Sequence, residues 1–184
     1  MRVISGIHRG RRLVAPPGRK TRPTPDRVRE ALFNIVGQDL TDQAFLDLYG
    51  GSGAVAIEAH SRGAARVVCV ESDRGAVAVI RQNVETCRAS VEVLATEVRA
   101  ALRRLAGSTF DVIFADPPYA ESDATDLGDL AGVADLLAPE GVLVLEHRGA
   151  AKEVPLAGLE IFDRRRYGDS GLTLYRSPES AQEG

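Results

Sequence analysis

The sequence predicts an α/β fold in which helices cover both faces of a doubly wound, mostly parallel sheet. Between residues 44 and 146, short apolar runs alternate with helical patterns, which is typical of repeated strand–helix units. Most of these runs are continuously apolar rather than alternating, as expected for strands buried on both faces. A glycine-rich turn follows the first run, where such folds bind ligands.

The composition indicates one folded domain without a membrane segment. The chain has 184 residues, of which 44% are hydrophobic and 27% charged. No apolar run approaches the roughly 18 residues needed to cross a bilayer, and residues 1–6 do not resemble a signal peptide. Cys69 and Cys87 are expected to be reduced thiols, and His8, His60 and His147 lack metal-ligand spacing. We therefore expect a metal-free, cytoplasmic protein.

The charge is unevenly distributed along the chain. Residues 1–30 contain nine basic and two acidic residues, a net charge of +7, so the remainder carries −10 within a total of −3. A basic segment on an acidic body indicates contact with a polyanion, although a solvated terminus is the alternative.

The N-terminal segment predicts a small hairpin followed by a helix. Residues 3–5 and 12–14 are strand-like and flank a glycine-containing turn. Thr24 and Pro25 suit the N-cap and first position of a helix whose apolar residues recur at helical spacing until Gly37. Arg27 and Arg29 fall outside its apolar stripe, so we expect both to be available to a partner.

Further elements follow in order. Predicted strands lie at 44–48, 66–71, 91–94, 110–116 and 142–146, with helices at 54–63, 73–87, 98–105 and 127–137. Two final runs, 159–162 and 172–175, lack an intervening helix and are predicted to be antiparallel. We divide the chain into a basic N-terminal appendage of hairpin and helix (1–36), the α/β domain (37–176) and a flexible tail (177–184).

The glycine turn indicates an adenosine cofactor. Gly51 and Gly53 belong to a G-x-G-x-x-A pattern between a strand and a helix, where backbone donors approach an anionic group. Glu71 closes the next strand, 18 residues after Gly53, where a carboxylate can bind both ribose hydroxyls. Dinucleotide enzymes and methyltransferases both fit this pattern, and a purely structural turn is a further reading.

The tetrapeptide Asp116-Pro117-Pro118-Tyr119 favours methyl transfer to an amine. It directly follows the fourth strand, at the edge that faces the ligand crevice. The Asp116 carboxylate and Pro117 carbonyl can accept hydrogen bonds from an exocyclic amine and aim its lone pair. Tyr119 offers a stacking face for a base. A simple strand terminator is the alternative, while a hydride-transfer enzyme would be expected to carry a His or Lys that we do not find.

These motifs resemble a known family. Residues 45–53 and 116–119 look like motifs I and IV of class I amino-methyltransferases, and residues 9–13 and 21–34 resemble the N-terminal signature of the RsmD family. The resemblance covers roughly residues 1–176. It implies S-adenosylmethionine as cofactor and the N2 amine of a guanine in small-subunit (16S) ribosomal RNA as substrate.

The resemblance also assigns roles to residues. It implies that Asp47, Gly50, Gly51 and Gly53 hold the methionine end of the cofactor and that Glu71 holds the ribose. Glu97 and the Val98 amide match the position that meets adenine, although Glu97 also suits a helix start. The sequence departs from relatives at Tyr49-Gly50, where an additional glycine is expected to loosen the loop.

The resemblance further implies that the basic segment binds rRNA phosphates. The arginines assigned to this surface are Arg9, Arg11, Arg12, Arg22, Arg27 and Arg29. Arg164, Arg165 and Arg166, which we expect to follow the sixth strand, either extend the surface or form a solvated charge run.

Several alternatives remain open at the level of sequence. The same tetrapeptide serves enzymes that methylate DNA adenine N6 or a protein amide. An NAD-dependent oxidoreductase and a non-catalytic RNA-binding assembly factor are the rivals from other classes. We expect a monomer that acts on 16S rRNA or the small ribosomal subunit, free or in an assembly intermediate.

Overall fold

The computed structural model describes residues 1–16, 26–117, 127–148 and 154–178, and these form a seven-stranded mixed sheet in the order β3-β2-β1-β4-β5-β7-β6. The strands are β1 (Ala44–Asp47), β2 (Arg66–Glu71), β3 (Glu92–Ala95), β4 (Phe110–Ala115), β5 (Leu137–Arg148), β6 (Glu160–Tyr167) and β7 (Ser170–Arg176). The helices are α1 (Asp26–Val36), α2 (Ala54–Ser61), α3 (Arg74–Cys87) and α4 (Val98–Arg104). The predicted fold class is confirmed.

The first five strands are parallel and β7 is antiparallel to both β5 and β6. The interior positions of β1, β2 and β4 are almost entirely buried, since helices cover both faces of this part of the sheet. Within the described ranges, none of the helices is long and apolar enough to cross a membrane.

Two apolar layers hold the helices on the sheet. Helices α1, α2 and α3 pack on one face, to which α1 contributes the buried side chains of Val28, Leu32 and Phe33. Helix α4 and two short 3₁₀ helices pack on the other face. Helix α1 ends before Gly37, as predicted, and its apolar stripe is part of the core of the sheet domain.

The predicted helix at 127–137 is wrong. The chain instead forms two 3₁₀ helices, Leu127–Leu130 and Val133–Leu136, and then enters β5 at residue 137. Gly132 lies between them with a φ of +84°, a left-handed conformation that cannot continue a helix. Leu130, Val133 and Leu136 are still buried, because both short helices turn these side chains towards the core.

Strand β6 is longer than predicted. The sequence placed Arg164, Arg165 and Arg166 after the strand, but all three lie within it. Strand β6 is the last in the sheet order, so charged side chains there remain in solvent while the backbone pairs with β7.

The N-terminal arm, residues 1–16, forms the predicted hairpin, but with fewer paired residues than expected. A single antiparallel bridge joins Arg2 to Arg12, and the turn contains a 3₁₀ helix at Gly6–His8. The backbone N–H of Gly10 donates to the Val3 carbonyl at 2.9 Å. Val3 and Leu13 are buried against α2 and α3, so the arm packs on the body of the domain.

The expectation that Arg29 is available to a partner is wrong. Its side chain is 0% exposed and forms an ion pair with Asp26 at 2.9 Å. One guanidinium nitrogen also donates to the Arg2 carbonyl at 2.7 Å, and another lies 3.9 Å from the buried Glu58 carboxylate. A long side chain leaving the polar flank of α1 can reach under the arm, which helical periodicity cannot reveal.

Glu58 is the acceptor that ties the arm to α2. Its two carboxylate oxygens accept the backbone N–H groups of Ile4 at 2.7 Å and Ser5 at 2.8 Å. Arg62, the C-cap residue of α2, donates to the same carboxylate at 2.9 Å. The buried charge of Glu58 is therefore compensated by two guanidinium groups and two backbone donors.

We predict that Arg29→Ala lowers the free energy of unfolding by about 3 kcal/mol, because it leaves the buried Glu58 charge less compensated. Arg27→Ala, which removes an exposed arginine from the same helix, is the matched control and should change stability by less than about 1 kcal/mol. Urea unfolding monitored by circular dichroism measures both. Equal effects of the two substitutions would contradict the buried role of Arg29.

Candidate cofactor and substrate site

The register of the parallel strands brings the predicted site residues to one edge of the sheet. Asp47, the last residue of β1, lies opposite Cys69 of β2 and Phe114 of β4. Glu71 and Asp116 each follow two residues later on those neighbouring strands. Since adjacent strands are about 4.8 Å apart, the carboxyl ends of β1, β2 and β4 form one continuous ledge.

The glycine loop after β1 presents backbone donors at the start of α2. Gly51 and Gly53 have φ values of +55° and +77°, and Gly53 is the N-cap of the helix. The N–H of Gly50 donates to the Val70 carbonyl at 2.8 Å, which attaches the loop to β2. A Cβ at Gly51 would meet nothing within 4 Å, so the loop is uncovered at this residue.

Glu71 is held in place by backbone donors on both sides. One carboxylate oxygen accepts the N–H of Gly51 at 2.9 Å, and the other accepts the N–H of Asp73 at 2.9 Å. A carboxylate oxygen has two acceptor positions, so each can still receive a ribose hydroxyl. The structure therefore places Glu71 at the end of β2, as predicted. The N–H groups of Gly51 and Asp73 orient its carboxylate.

Asp47 carries a buried carboxyl group beneath the loop. The residue is 1% exposed, and neither oxygen has a well-aligned hydrogen-bond partner within the described residues. Burial raises its pKa to about 7, with the nearby Glu71 charge adding to the rise, while the backbone N–H groups of Tyr49 and Ala56 oppose it. A buried acceptor of this kind fits a cationic ligand group, such as the ammonium of a methionine moiety.

The Asp47 carboxyl group should make stability depend on pH in the ligand-free protein. Its folded-state pKa of about 7 exceeds the ordinary 3.8, so the folded chain binds the proton more tightly, and the free energy of unfolding falls as pH rises from about 4 to about 7. Asp47→Asn should remove this fall and stabilise the ligand-free protein above pH 7 by up to about 4 kcal/mol. Urea unfolding at pH 5 and pH 8 measures the effect. Parallel pH profiles for the two proteins would contradict it.

The expectation that Gly50 loosens the loop is wrong. A Cβ built at Gly50 would lie 2.4 Å from the Cys69 sulfur and 3.0 Å from Ile80 Cδ1. The space that another residue's side chain would need is filled by the Cys69 thiol of β2, which is 0% exposed. Gly50 is therefore a close-packed position matched to Cys69, and it anchors the loop.

We predict that Gly50→Ala destabilises the protein by about 1–3 kcal/mol, because the added methyl overpacks the contact with Cys69. Cys69→Ala opens that space, so Gly50→Ala should cost clearly less in the Cys69→Ala background. Thermal and urea unfolding of the four proteins in this cycle provide the measurement. Additive losses would show that the two positions do not share one space.

Glu97 and Val98 lie where β3 leads into α4. Glu97 is exposed and is the N-cap of α4, yet its side chain makes no capping hydrogen bond. Its carbonyl starts the helix by accepting the N–H groups of Ala100 and Ala101. The Val98 side chain is 5% exposed and packs in the core. Glu97 thus lies at the helix start, as the alternative expected, although its side chain caps no N–H group, and the adenine role remains a proposal.

Asp116 and Pro117 follow β4 directly, beside the glycine loop. Asp116 is partly exposed and Pro117 is buried. The N–H of Leu48, just before the loop, donates to the Phe114 carbonyl at 2.9 Å, which fixes the ends of β1 and β4 together. Pro118 and Tyr119 lie outside the described residues, so the stacking role of Tyr119 remains a prediction.

The described arginines assigned to RNA are exposed, apart from Arg29. Arg9, Arg11 and Arg12 lie on the N-terminal arm, where Arg11 donates to the Thr86 carbonyl near the end of α3 at 2.7 Å. Arg27 donates to the Tyr167 carbonyl at 2.7 Å and so reaches the turn between β6 and β7. Arg22 lies outside the described residues.

Among the buried polar residues that the sequence analysis missed are Glu58, Asn83 and Glu146. Asn83 lies on the amphipathic helix α3 and Glu58 on α2, which is almost entirely buried, and the spacing of apolar residues in α3 gives no sign that Asn83 is buried. Glu146 is 5% exposed and follows Leu145, which pairs with Ala115 just before Asp116. The only signal for Glu146 is that it ends a strongly apolar run, as Asp47, Glu71 and Asp116 also do.

The residues present fit an adenosyl-methionine cofactor. The N–H groups at the start of α2 suit a carboxylate, Asp47 offers a buried acceptor for an ammonium, and Glu71 offers oriented acceptors for ribose hydroxyls. These three groups converge on the ends of two adjacent strands.

Comparisons with known proteins agree with this arrangement. The family model described as "Conserved hypothetical protein 95" matches residues 1–176. The chain is 35% identical to YlbH of Bacillus subtilis, covering 96% of this chain and 98% of that one. It is 33% identical to ribosomal RNA small subunit methyltransferase D of Escherichia coli over 79% of this chain and 74% of the relative.

A solved structure shares the fold. It is the 16S rRNA N2 G1207 methyltransferase RsmC of Thermus thermophilus, in complex with AdoMet and guanosine. The TM-score is 0.69 at 25% identity, over 86% of this chain and 43% of that one. The predicted class I methyltransferase fold and S-adenosylmethionine cofactor are thereby confirmed at the level of the family, and the chain belongs to the Conserved hypothetical protein 95 family, which includes the RsmD and YlbH proteins.

Proposed function

We propose that this chain transfers the methyl group of S-adenosylmethionine to the exocyclic N2 amine of a guanine in 16S ribosomal RNA. The observation that carries the proposal is the position of Asp116 and Pro117 at the end of β4, directly beside the glycine loop that follows β1. The named activities of the relatives support rRNA as the substrate, and the guanosine complex of the structural neighbour supports N2 of guanine.

Cofactor binding is assigned to the loop and to two carboxyl groups. The N–H groups at the start of α2 would hold the methionine carboxylate, and Asp47 would accept from its ammonium. Binding of that ammonium would favour ionised Asp47 and reverse the rise in its pKa. Glu71 would accept the ribose hydroxyls, and Glu97 with the Val98 amide would meet adenine.

The chemical step requires an aligned amine. The Asp116 carboxylate and the Pro117 carbonyl would accept the two N–H groups of guanine N2, which draws the nitrogen towards tetrahedral geometry and directs its lone pair at the methyl carbon. The N–C bond forms as the C–S bond breaks, giving S-adenosylhomocysteine. The negative charge of Asp116 stabilises the positive charge that develops on nitrogen before its proton is lost to solvent.

The base must be unpaired or flipped to reach this edge, since a duplex buries the amine. Tyr119 is proposed to stack on the exposed base. Arg9, Arg11, Arg12 and Arg27 are proposed to bind phosphates, with Arg22 as a further candidate. Arg29 is excluded by its burial. Arg164, Arg165 and Arg166 are exposed on the edge strand and are proposed to extend this surface, although Arg165 pairs with Asp163 and Arg166 donates to the Gly168 carbonyl.

We predict that Asp116→Ala reduces the rate of methyl transfer at least about 100-fold. The substitution removes a hydrogen-bond acceptor that stabilises the positive charge developing on the amine nitrogen in the transition state. The dissociation constant of S-adenosylhomocysteine should change little. Asp135→Ala, which alters an exposed aspartate on the opposite face of the sheet, is the control and should retain activity. Transfer of labelled methyl to small-subunit particles, alongside calorimetric titration, gives both readings. Normal transfer by Asp116→Ala would refute the assigned role.

Mass mapping of modified nucleosides tests the substrate itself. With labelled cofactor, the proposal predicts N2-methylguanosine in 16S rRNA. Label in DNA adenine or in protein would support the other amino-methyltransferase readings, and RNA binding without any transfer would support an assembly factor. The family match favours methyl transfer over hydride transfer.

A further inference from the structure

Asn83 of α3 makes three hydrogen bonds that use its whole amide group. The residue is 1% exposed. Its oxygen accepts the N–H of Val14 at 2.8 Å, and its nitrogen donates to the Val14 carbonyl at 2.9 Å and to the Ser52 carbonyl at 2.8 Å. One acceptor and two donors on a short side chain are available only from asparagine, since aspartate has no donor and serine has one.

These bonds join two parts of the proposed machinery. Val14 lies near the end of the N-terminal arm, which also carries Arg9, Arg11 and Arg12. Ser52 is the middle residue of the glycine loop and is 7% exposed. One turn before Asn83 on α3, Ile80 packs against Gly53, where a Cβ would lie 3.1 Å from its Cγ2 atom. The same face of α3 therefore contacts both the loop and the arm.

We propose that Asn83 is a positioning residue that couples the conformation of the cofactor loop to that of the N-terminal arm. Fixing the loop fixes the Ser52 carbonyl, which orients the amide of Asn83. The oriented amide then pairs with both backbone groups of Val14, as a neighbouring strand would. A bound cofactor thus lowers the conformational freedom of the arm before RNA arrives.

The coupling has a consequence for substrate binding that rests on the proposed function. An arm that is already ordered loses less entropy on binding RNA, so cofactor and RNA should each increase the affinity for the other. Thermodynamic linkage requires the two increases to be equal.

Hydrogen exchange tests the coupling without RNA. In the full-length protein, addition of S-adenosylhomocysteine should slow exchange of the Val14 amide, which donates to Asn83. Unchanged exchange at Val14, with the glycine loop protected, would overturn the proposal. The measurement uses the unaltered protein, so it stays decisive if a variant fails to fold.

Substitution tests the role of the side chain. In Asn83→Ala, S-adenosylhomocysteine should still protect the loop but no longer the arm. Asn34→Ala, which removes an exposed asparagine on α1, is the control and should behave as the parent protein. Protection of Val14 by S-adenosylhomocysteine that persists in Asn83→Ala would overturn the proposal.

Titration with a 16S rRNA fragment tests the consequence for substrate binding. S-adenosylhomocysteine should raise RNA affinity about fivefold or more in the parent protein and have almost no effect in Asn83→Ala. An equal increase in both proteins would overturn the proposal. If the RNA fails to bind while Val14 is still protected, the coupling stands and the proposed substrate is wrong.

Discussion

The parallel register of β2, β1 and β4 is the constraint on which the site depends. It places the ends of three buried strands at one level, and each strand ends at or just before an acidic residue: Glu71, Asp47 and Asp116. A shift of one residue in any strand would turn its carboxyl group towards the other face of the sheet. The apolar layers on both faces fix the register, so packing in the core determines where the three carboxyl groups lie.

Buried polar groups attach the N-terminal arm to this core. Glu58 holds residues 4 and 5 through their backbone N–H groups, and Asn83 holds residue 14. Both side chains lie on helices that pack beside the glycine loop, so the arm is attached next to the cofactor site. The two arginines of α1 have different roles, since Arg29 compensates a buried carboxylate and Arg27 faces solvent.

Sequence patterns predicted those features that depend on neighbouring residues. The strand Arg66–Glu71 and the N-cap of α3 at Asp73 were placed correctly, because the pattern of apolar residues and the preference for an N-cap both depend on residues adjacent in sequence. The burial of Arg29 and the packing of Gly50 against Cys69 were not, because each depends on residues far away in the chain. The break at Gly132 was missed because apolar spacing outweighed a single glycine. The glycine loop, Glu71 and Asp116 were each placed correctly at a strand end, because strand ends can be predicted from local patterns, while their roles stay predictions.

The most direct test of the account is a crystal structure with S-adenosylhomocysteine and guanosine. It should show the ribose hydroxyls on Glu71, the homocysteine carboxylate at the start of α2, and guanine N2 within hydrogen-bonding distance of both the Asp116 carboxylate and the Pro117 carbonyl. Guanosine bound away from this ledge, or an Asp116 carboxylate turned from the cofactor sulfur, would contradict the account.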